Sequence, residues 1–255
     1  MCGRFSLYAD RDDVVAQFHV DDVVDGGAAD GAADGQHPRY NVAPSQPVLA
    51  VASSADGARR RLGTFRWGLV PHWAKDPSIG NRMINGRVET AGSAPSFRAA
   101  FEKRRCLIPA SGYYEWKAPE GSHGGGSGGS GGSTGSSRPR KIPYYFRRRD
   151  GLLLAIGGLW EVWHGTDGEV LRTCTILTTD ANGTNAPIHD RMPLIVPGRR
   201  WEEWLAPSPL AVEARAEVLA PVPDDLLVVE RVSDRVNDPR YDSPDLIEPV
   251  EVGEG

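Results

Sequence analysis

The chain has 255 residues, of which 40% are hydrophobic and 25% are charged, and its formal net charge is −5 at pH 7. This length suffices for one large domain or two small ones with a buried core. No apolar run approaches the roughly 20 residues that a membrane-spanning helix requires, and the N-terminus lacks a charged-then-apolar secretory pattern. We therefore expect a soluble protein of the reducing cytoplasm, with no membrane partner.

The charge is unevenly distributed along the chain. Residues 201–255 carry 14 acidic and 4 basic side chains, whereas residues 36–200 carry 12 acidic and 23 basic ones. A basic region with acidic flanks is compatible with a phosphate-bearing ligand such as nucleic acid. Charges scattered over solvated faces would give the same counts, so this pattern alone identifies no partner.

The predicted secondary structure consists mostly of short strands. Runs of β-branched and aromatic residues bounded by Gly, Pro and Asp predict strands, and apolar residues at helical spacing predict helices. In chain order we predict a helix over 10–18, strands over 47–53 and 61–69, a helix over 96–103, strands over 105–109, 144–148, 152–160 and 171–178, and a helix over 199–205. The fold class is therefore α+β, with a mainly antiparallel sheet or distorted barrel as its core and peripheral helices.

Two segments have the composition of insertions. Residues 21–35 are acidic and repetitive, and residues 118–137 contain a run, 121–137, with nine Gly and six Ser. Neither segment buries enough apolar surface to offset its ordering entropy, so we expect disordered loops. We predict one domain over 1–240, interrupted by these loops, and an acidic C-terminal tail over 241–255.

The second residue is a cysteine, and it has a chemical option that internal cysteines lack. Removal of Met1 would leave Cys2 with a thiol and a free α-amine on one residue, a 1,2-aminothiol that closes on an aldehyde to form a thiazolidine ring. Reference pKa values of about 8.5 for the thiol and about 8 for the amine keep both groups usable near neutral pH. Cys106 and Cys174 lie in strand-like runs and are predicted to be small buried hydrophobic residues.

Five internal segments are polar where a core strand would be apolar: residues 39–46 (RYNVAPSQ), 67–73 (WGLVPHW), 84–90 (INGRVET), 111–116 (SGYYEW) and 188–193 (IHDRMP). Together with Met1-Cys2-Gly3-Arg4 they closely resemble the SOS-response-associated peptidase (SRAP) family, whose members crosslink to abasic sites in single-stranded DNA. The resemblance runs in order from Cys2 to about Asn237, across nearly the whole chain. It implies a single SRAP-like domain.

The resemblance implies four catalytic residues. Cys2 would be the nucleophile, Asn85 and Glu115 would shape its pocket, and His189 would act on the sugar. Glu115 could take a proton from the amine, and His189, with an ordinary pKa near 6.5, could open and close the deoxyribose ring. Each of these two also has a structural alternative, a strand carboxylate paired with an arginine or a hydrogen-bonded loop histidine.

The resemblance also implies five DNA-binding residues: Arg4, Pro44, Trp73, Arg87 and Arg191. The three arginines each lie within two positions of a proposed catalytic residue, where a guanidinium can hold a phosphate. Pro44 and Trp73 resemble an apolar wedge on which a base stacks. Trp67, by contrast, is predicted to be a core residue.

The sequence thus predicts a DNA-repair protein that senses abasic sites in single-stranded DNA and forms a thiazolidine crosslink through Cys2, shielding the lesion from strand cleavage. We expect a monomer associated with the nucleoid, with no cofactor and no metal, because the six histidines form no ligand spacing. Two alternatives stay open: a cysteine-dependent peptidase, which includes self-removal of Met1, and a non-catalytic module that binds single-stranded DNA. A peptidase does not need its thiol at the N-terminus, whereas a 1,2-aminothiol does. Protein partners at a replication fork are not visible in the sequence.

Overall fold

The computed structural model describes residues 2–24, 37–119, 140–166 and 168–250. In chain order the strands are β1 (Phe5–Leu7), β2 (Asp22–Val24), β3 (Arg39–Val42), β4 (Pro47–Ser53), β5 (Arg60–Trp67), β6 (Asn85–Arg87), β7 (Arg105–Ala110), β8 (Gly112–Lys117), β9 (Ile142–Arg148), β10 (Leu154–His164), β11 (Val170–Asp180), β12 (Arg191–Pro193) and β13 (Leu227–Arg231). The α-helices are α1 (Arg11–Phe18), α2 (Val88–Ala91), α3 (Arg98–Lys103), α4 (Trp201–Leu205) and α5 (Val212–Val218). Within these residues, no helix has the length and apolar character that crossing a lipid bilayer requires.

Five strands close into a small barrel. Strands β5, β4, β7, β10 and β11 are antiparallel neighbours in that order. Strand β11 also pairs in parallel with β5, through Thr173 with Arg66 and Cys174 with Trp67, and this pairing completes the ring. The predicted distorted barrel with peripheral helices is therefore confirmed.

A second, fully antiparallel sheet has the spatial order β13-β9-β8-β1-β3. The chain passes directly from the barrel into this sheet at Ser111, which separates β7 from β8. The backbone amide of Ser111 donates to the carbonyl of Ser6 at 2.8 Å, so β1 is bonded to the crossing point. The N-terminal segment is thereby held at the junction of the two sheets.

Large aromatic and small side chains fill the space beneath this junction. Trp67 is fully buried, its ring lies 5.3 Å from that of Phe5, and its indole N–H donates to the carbonyl of Ile84 at 2.8 Å. Cys106 and Cys174 are also fully buried in β7 and β11. The prediction that these three residues belong to the core is confirmed. Burying a large apolar side chain such as Phe5 stabilises the fold by roughly 1.5–3 kcal/mol.

The structure describes residues 21–24 of the first predicted insertion and residues 241–250 of the predicted tail. Residues 22–24 of the first insertion form β2, which pairs in parallel with β5, whereas residues 25–35 and 120–137 lie outside the described residues. The boundary predicted at residue 240 falls within a packed segment. Leu246 is fully buried, and the carboxylate of Asp242 accepts from the backbone amide of Asn41 at 3.0 Å. Apolar residues among the acidic ones hold this segment on the domain as far as Val250, whose amide donates to the carbonyl of Arg231.

Candidate active site

The four candidate catalytic residues come from four separate elements that meet at the sheet junction. Cys2 precedes β1, Asn85 begins β6, Glu115 lies in β8, and His189 lies in the loop between β11 and β12. The side-chain amide of Asn85 donates to the backbone carbonyl of Cys2 at 2.8 Å. This hydrogen bond ties the N-terminal segment to the strand that runs beside β11.

The thiol of Cys2 is fully buried. Burial raises its pKa above the ordinary range, and the negative charge of Glu115 raises it further. Its sulfur lies 3.9 Å from the carbonyl oxygen of Arg4, a weak hydrogen-bond geometry. The thiol is therefore protonated at neutral pH and needs a proton acceptor before it can act as a nucleophile.

Glu115 ends a run of four buried residues at the start of β8, and only 1% of its surface is exposed. Burial raises the pKa of Glu115 to about 7. A carboxyl group with such a pKa exists in both protonation states near neutral pH. It can therefore accept a proton in one step and return it in the next.

The imidazole of His189 is partly buried and held by its own loop. Its Nδ1 accepts from the backbone amide of Arg191 at 3.0 Å, so the neutral ring carries its hydrogen on Nε2. The carboxylate of Asp190 lies 2.9 Å from the same Nδ1 and would accept from it in the protonated ring. Burial nevertheless lowers the pKa of His189, which keeps the ring neutral at physiological pH.

Glu115 and His189 both line an open cleft of about 900 Å³. The other lining residues are Trp116, Arg140, Lys141, Asp234, Arg235, Asn237, Asp238 and Pro239. Basic and acidic side chains are both present, and the indole N–H of Trp116 donates to Asn237 at 2.9 Å. The volume is sufficient for a polar ligand of nucleotide size.

The predicted wedge residue Trp73 has 53% of its surface exposed. Its loop is anchored on both sides: the amide of Val70 donates to the hydroxyl of Thr173 at 2.9 Å, and the indole of Trp163 donates to the carbonyl of Ala74 at 2.7 Å. A large aromatic ring is thus displayed on a fixed loop. Such a ring can stack on a base.

Pro44 and Arg87 are two further DNA-binding candidates that are not fully buried. Pro44 is half-buried in the turn that follows β3, and Arg87 is the exposed last residue of β6. Arg87 is two positions from Asn85 on β6. Its predicted phosphate contact requires this exposure and stays a prediction.

Arg4 and Arg191 already have protein partners. Arg4 donates to the side-chain oxygen of Asn41 at 2.8 Å and to the carbonyl of Val236 at 2.9 Å. Arg191 is 8% exposed and makes a bidentate pair with Glu89 at 2.7 and 2.9 Å and a further bond with Asp180 at 2.5 Å. A phosphate would have to compete with these acceptors, so phosphate binding by either arginine stays a prediction.

The sequence patterns did not single out Asn41, which organises the N-terminal side of the site. This fully buried residue accepts from Arg4 and donates to the carbonyls of Asp238 at 2.9 Å and Tyr241 at 2.7 Å. It thereby fixes the segment that forms one wall of the cleft. A signal was available, because Asn41 lies within the polar segment 39–46 on which the family resemblance rests in part.

The fold and the site together define a class of single-domain β-rich protein in which Cys2 lies near a buried carboxyl group, and that carboxyl group lines one cleft with a neutral imidazole. The family model described as SOS response associated peptidase (SRAP) matches residues 1–239. The chain belongs to this family.

Curated relatives and solved structures agree with this assignment. The chain is 40% identical over 249 residues to the "Abasic site processing protein YoqW" of Bacillus subtilis, covering 97% of this chain and 99% of that protein. It is 33% identical over 234 residues to the "Abasic site processing protein HMCES" of Gallus gallus, covering 85% of this chain and 67% of that protein. A crystal structure of a protein from Bacteroides thetaiotaomicron superposes with a TM-score of 0.76 at 24% identity, covering 98% of this chain and all of that chain, which shows the shared fold.

Proposed function

We propose that this protein recognises abasic sites in single-stranded DNA and forms a covalent thiazolidine with them through Cys2, after Met1 has been removed. The observation that carries the proposal is the meeting of Cys2, Asn85, Glu115 and His189 at the junction of the two sheets. The names of the relatives in Bacillus subtilis and Gallus gallus, both abasic site processing proteins, support the same substrate. With such a substrate we expect a cytoplasmic, nucleoid-associated protein that acts as a monomer.

The first step is condensation of the α-amine with the sugar aldehyde. An abasic deoxyribose interconverts between a closed hemiacetal and an open aldehyde, and only the open form reacts. The amine adds to the aldehyde carbon, and loss of one water gives an imine. Glu115, with a pKa of about 7, accepts the proton that the ammonium group must lose before it attacks.

The thiol reacts second. Its raised pKa keeps it protonated while the imine forms, so the amine attacks first. The sulfur then adds to the imine carbon, and its proton passes to the imine nitrogen, which closes the five-membered ring. The imine is thereby consumed before β-elimination can break the strand, so the thiol converts a lyase-like intermediate into a protective adduct.

Asn85 and His189 prepare the two reactants. Asn85 fixes the carbonyl of Cys2 and so limits the positions that the amine and thiol can occupy. The neutral ring of His189 carries its hydrogen on Nε2 and can donate it to the ring oxygen of the sugar as the hemiacetal opens. The DNA on either side would lie against Trp73 and Arg87, the two exposed candidates.

Intact mass spectrometry tests the proposal. The purified protein is incubated with a single-stranded oligonucleotide that contains one abasic site, and separately with the undamaged oligonucleotide. We expect the protein without Met1 to gain the mass of the damaged oligonucleotide less one water, and to gain nothing from the undamaged one. Absence of any adduct from the wild-type protein would contradict the proposed function.

Two variants identify the nucleophile. Cys2→Ser keeps the amine and loses the thiol, so we expect no heat-stable adduct from it. Cys174→Ala is the matched control because it removes an equally buried thiol from the barrel core, and we expect it to form the adduct as the wild-type protein does. A heat-stable adduct from Cys2→Ser would remove the thiol from the mechanism.

A further inference from the structure

A fully buried asparagine in the His189 loop uses both polar atoms of its side chain. The oxygen of Asn185 accepts from the hydroxyl of Tyr113 at 3.0 Å. Its nitrogen donates to the backbone carbonyls of His189 at 2.9 Å and Arg191 at 3.0 Å. One carbonyl is that of His189 itself and the other lies two residues later, so the orientation of one buried carboxamide sets the backbone that carries His189.

Tyr113 lies on the strand that carries Glu115. The two residues are separated by one position on β8, so their side chains point to the same face of the sheet, and both are buried. Burial raises the pKa of Tyr113 well above its ordinary value, and the charges of Cys2 and Glu115 raise it further. The hydroxyl is therefore always protonated and acts as the donor to Asn185.

We propose that Tyr113 and Asn185 are positioning residues that couple the Glu115 strand to the His189 loop and so set the placement of carboxyl and imidazole across the cleft. Strand β8 belongs to the second sheet, whereas the loop joins β11 and β12 of the barrel sheet. The hydrogen bond from the Tyr113 hydroxyl to Asn185 joins strand β8 to this loop. This inference rests on the proposed function, because it concerns the two groups assigned to proton transfer there.

Tyr113→Phe is the variant that isolates the coupling. It removes one oxygen atom and leaves the ring stacked on Phe146, with centroids 4.8 Å apart and planes within 4° of parallel. Tyr145→Phe is the matched control: its hydroxyl is also buried and lies 2.7 Å from the hydroxyl of Ser6, away from the His189 loop. We expect Tyr113→Phe to slow adduct formation roughly three- to tenfold, the effect of one hydrogen bond of ordinary net strength, and Tyr145→Phe to leave the rate unchanged.

A double-mutant cycle tests whether Tyr113 acts through Asn185. We expect Asn185→Ala to slow adduct formation more than Tyr113→Phe does, because it also frees the carbonyls of His189 and Arg191. Adding Tyr113→Phe to Asn185→Ala should then cause no further loss. A rate for Tyr113→Phe equal to that of Tyr145→Phe, or a full additional loss in the double variant, would overturn the proposal.

A readout without DNA separates this inference from the proposed function. The pKa of His189 can be followed by NMR titration of its ring protons, assigned with His189→Gln. Burial lowers that pKa in the intact loop, so loosening the loop in Tyr113→Phe should raise it toward the ordinary value, with no change in Tyr145→Phe. If the wild-type protein formed no adduct, the proposed function alone would fail. The titration would then decide the inference, because an unchanged pKa in Tyr113→Phe would refute the coupling.

Discussion

Replacing Glu115 with glutamine should raise the free energy of unfolding at alkaline pH. The same substitution removes the proposed proton acceptor. Burial raises the pKa of this carboxyl from 4.5 to about 7, so the folded protein binds the proton more tightly than the unfolded chain does. The free energy of unfolding therefore falls as the pH rises from about 4.5 to about 7. Each pH unit between the two values corresponds to about 1.4 kcal/mol, so the ionised side chain lowers stability by about 3 kcal/mol. Glutamine has nearly the same shape and no charge, so Glu115→Gln should recover this amount above pH 7.

Urea unfolding at pH 4.5 and pH 8, followed by tryptophan fluorescence without DNA, measures the effect. We expect Glu115→Gln to exceed the wild-type protein by about 3 kcal/mol at pH 8 and by far less at pH 4.5. Glu89→Gln provides a comparison of opposite sign. The hydrogen bond from Arg191 lowers the pKa of Glu89, so its stabilisation is present above the ordinary pKa and is lost as the pH falls. A difference between Glu115→Gln and wild type that does not change with pH would refute the reasoning.

The remaining predictions concern stability and DNA binding. Arg105 is 1% exposed and donates to five backbone carbonyls, including those of Trp204 and Phe101, so Arg105→Lys should lower the free energy of unfolding by about 3 kcal/mol in urea titrations. Arg87→Ala should fold normally. The slope of the logarithm of its binding constant for single-stranded DNA against the logarithm of salt concentration should become shallower by the amount that corresponds to about one phosphate contact, and an unchanged slope would argue against that contact. Trp73→Ala should weaken binding by about 1–3 kcal/mol in fluorescence anisotropy, the value of one stacked base, and equal affinities would show that Trp73 does not stack.

Local patterns predicted the long elements well. The bounds of β4 agree with the prediction, because residues 47–53 form a continuous apolar run with clear ends. Strand β10 starts two residues later than predicted and continues to His164, because Glu161 pairs with Thr173 across the ladder despite its charge. Strand β11 extends beyond the predicted 171–178 at both ends, from Val170 to Asp180. The short strands β1, β6 and β12 were not predicted, since three residues carry no periodicity and depend on distant partners.

The candidate site shows the same limit. Cys2, Asn85, Glu115 and His189 were chosen from a family resemblance, and the structure places them at one junction, while their roles stay predictions. The ion pairs of Arg191 could not be inferred, because Glu89 lies 102 positions away along the chain. Long-range hydrogen bonds decide which polar residues are held by the protein, and no local pattern encodes them.

The bond from Arg4 to the carbonyl of Val236 spans 232 positions and joins the two ends of the domain. During synthesis the N-terminal segment leaves the ribosome well before Val236 and the carbonyls that bind Asn41. Until Val236 has been synthesised, the segment that carries Cys2 therefore lacks this bond. The removal of Met1 that the proposed function requires is sterically easiest in this interval, before the bond from Arg4 to Val236 forms.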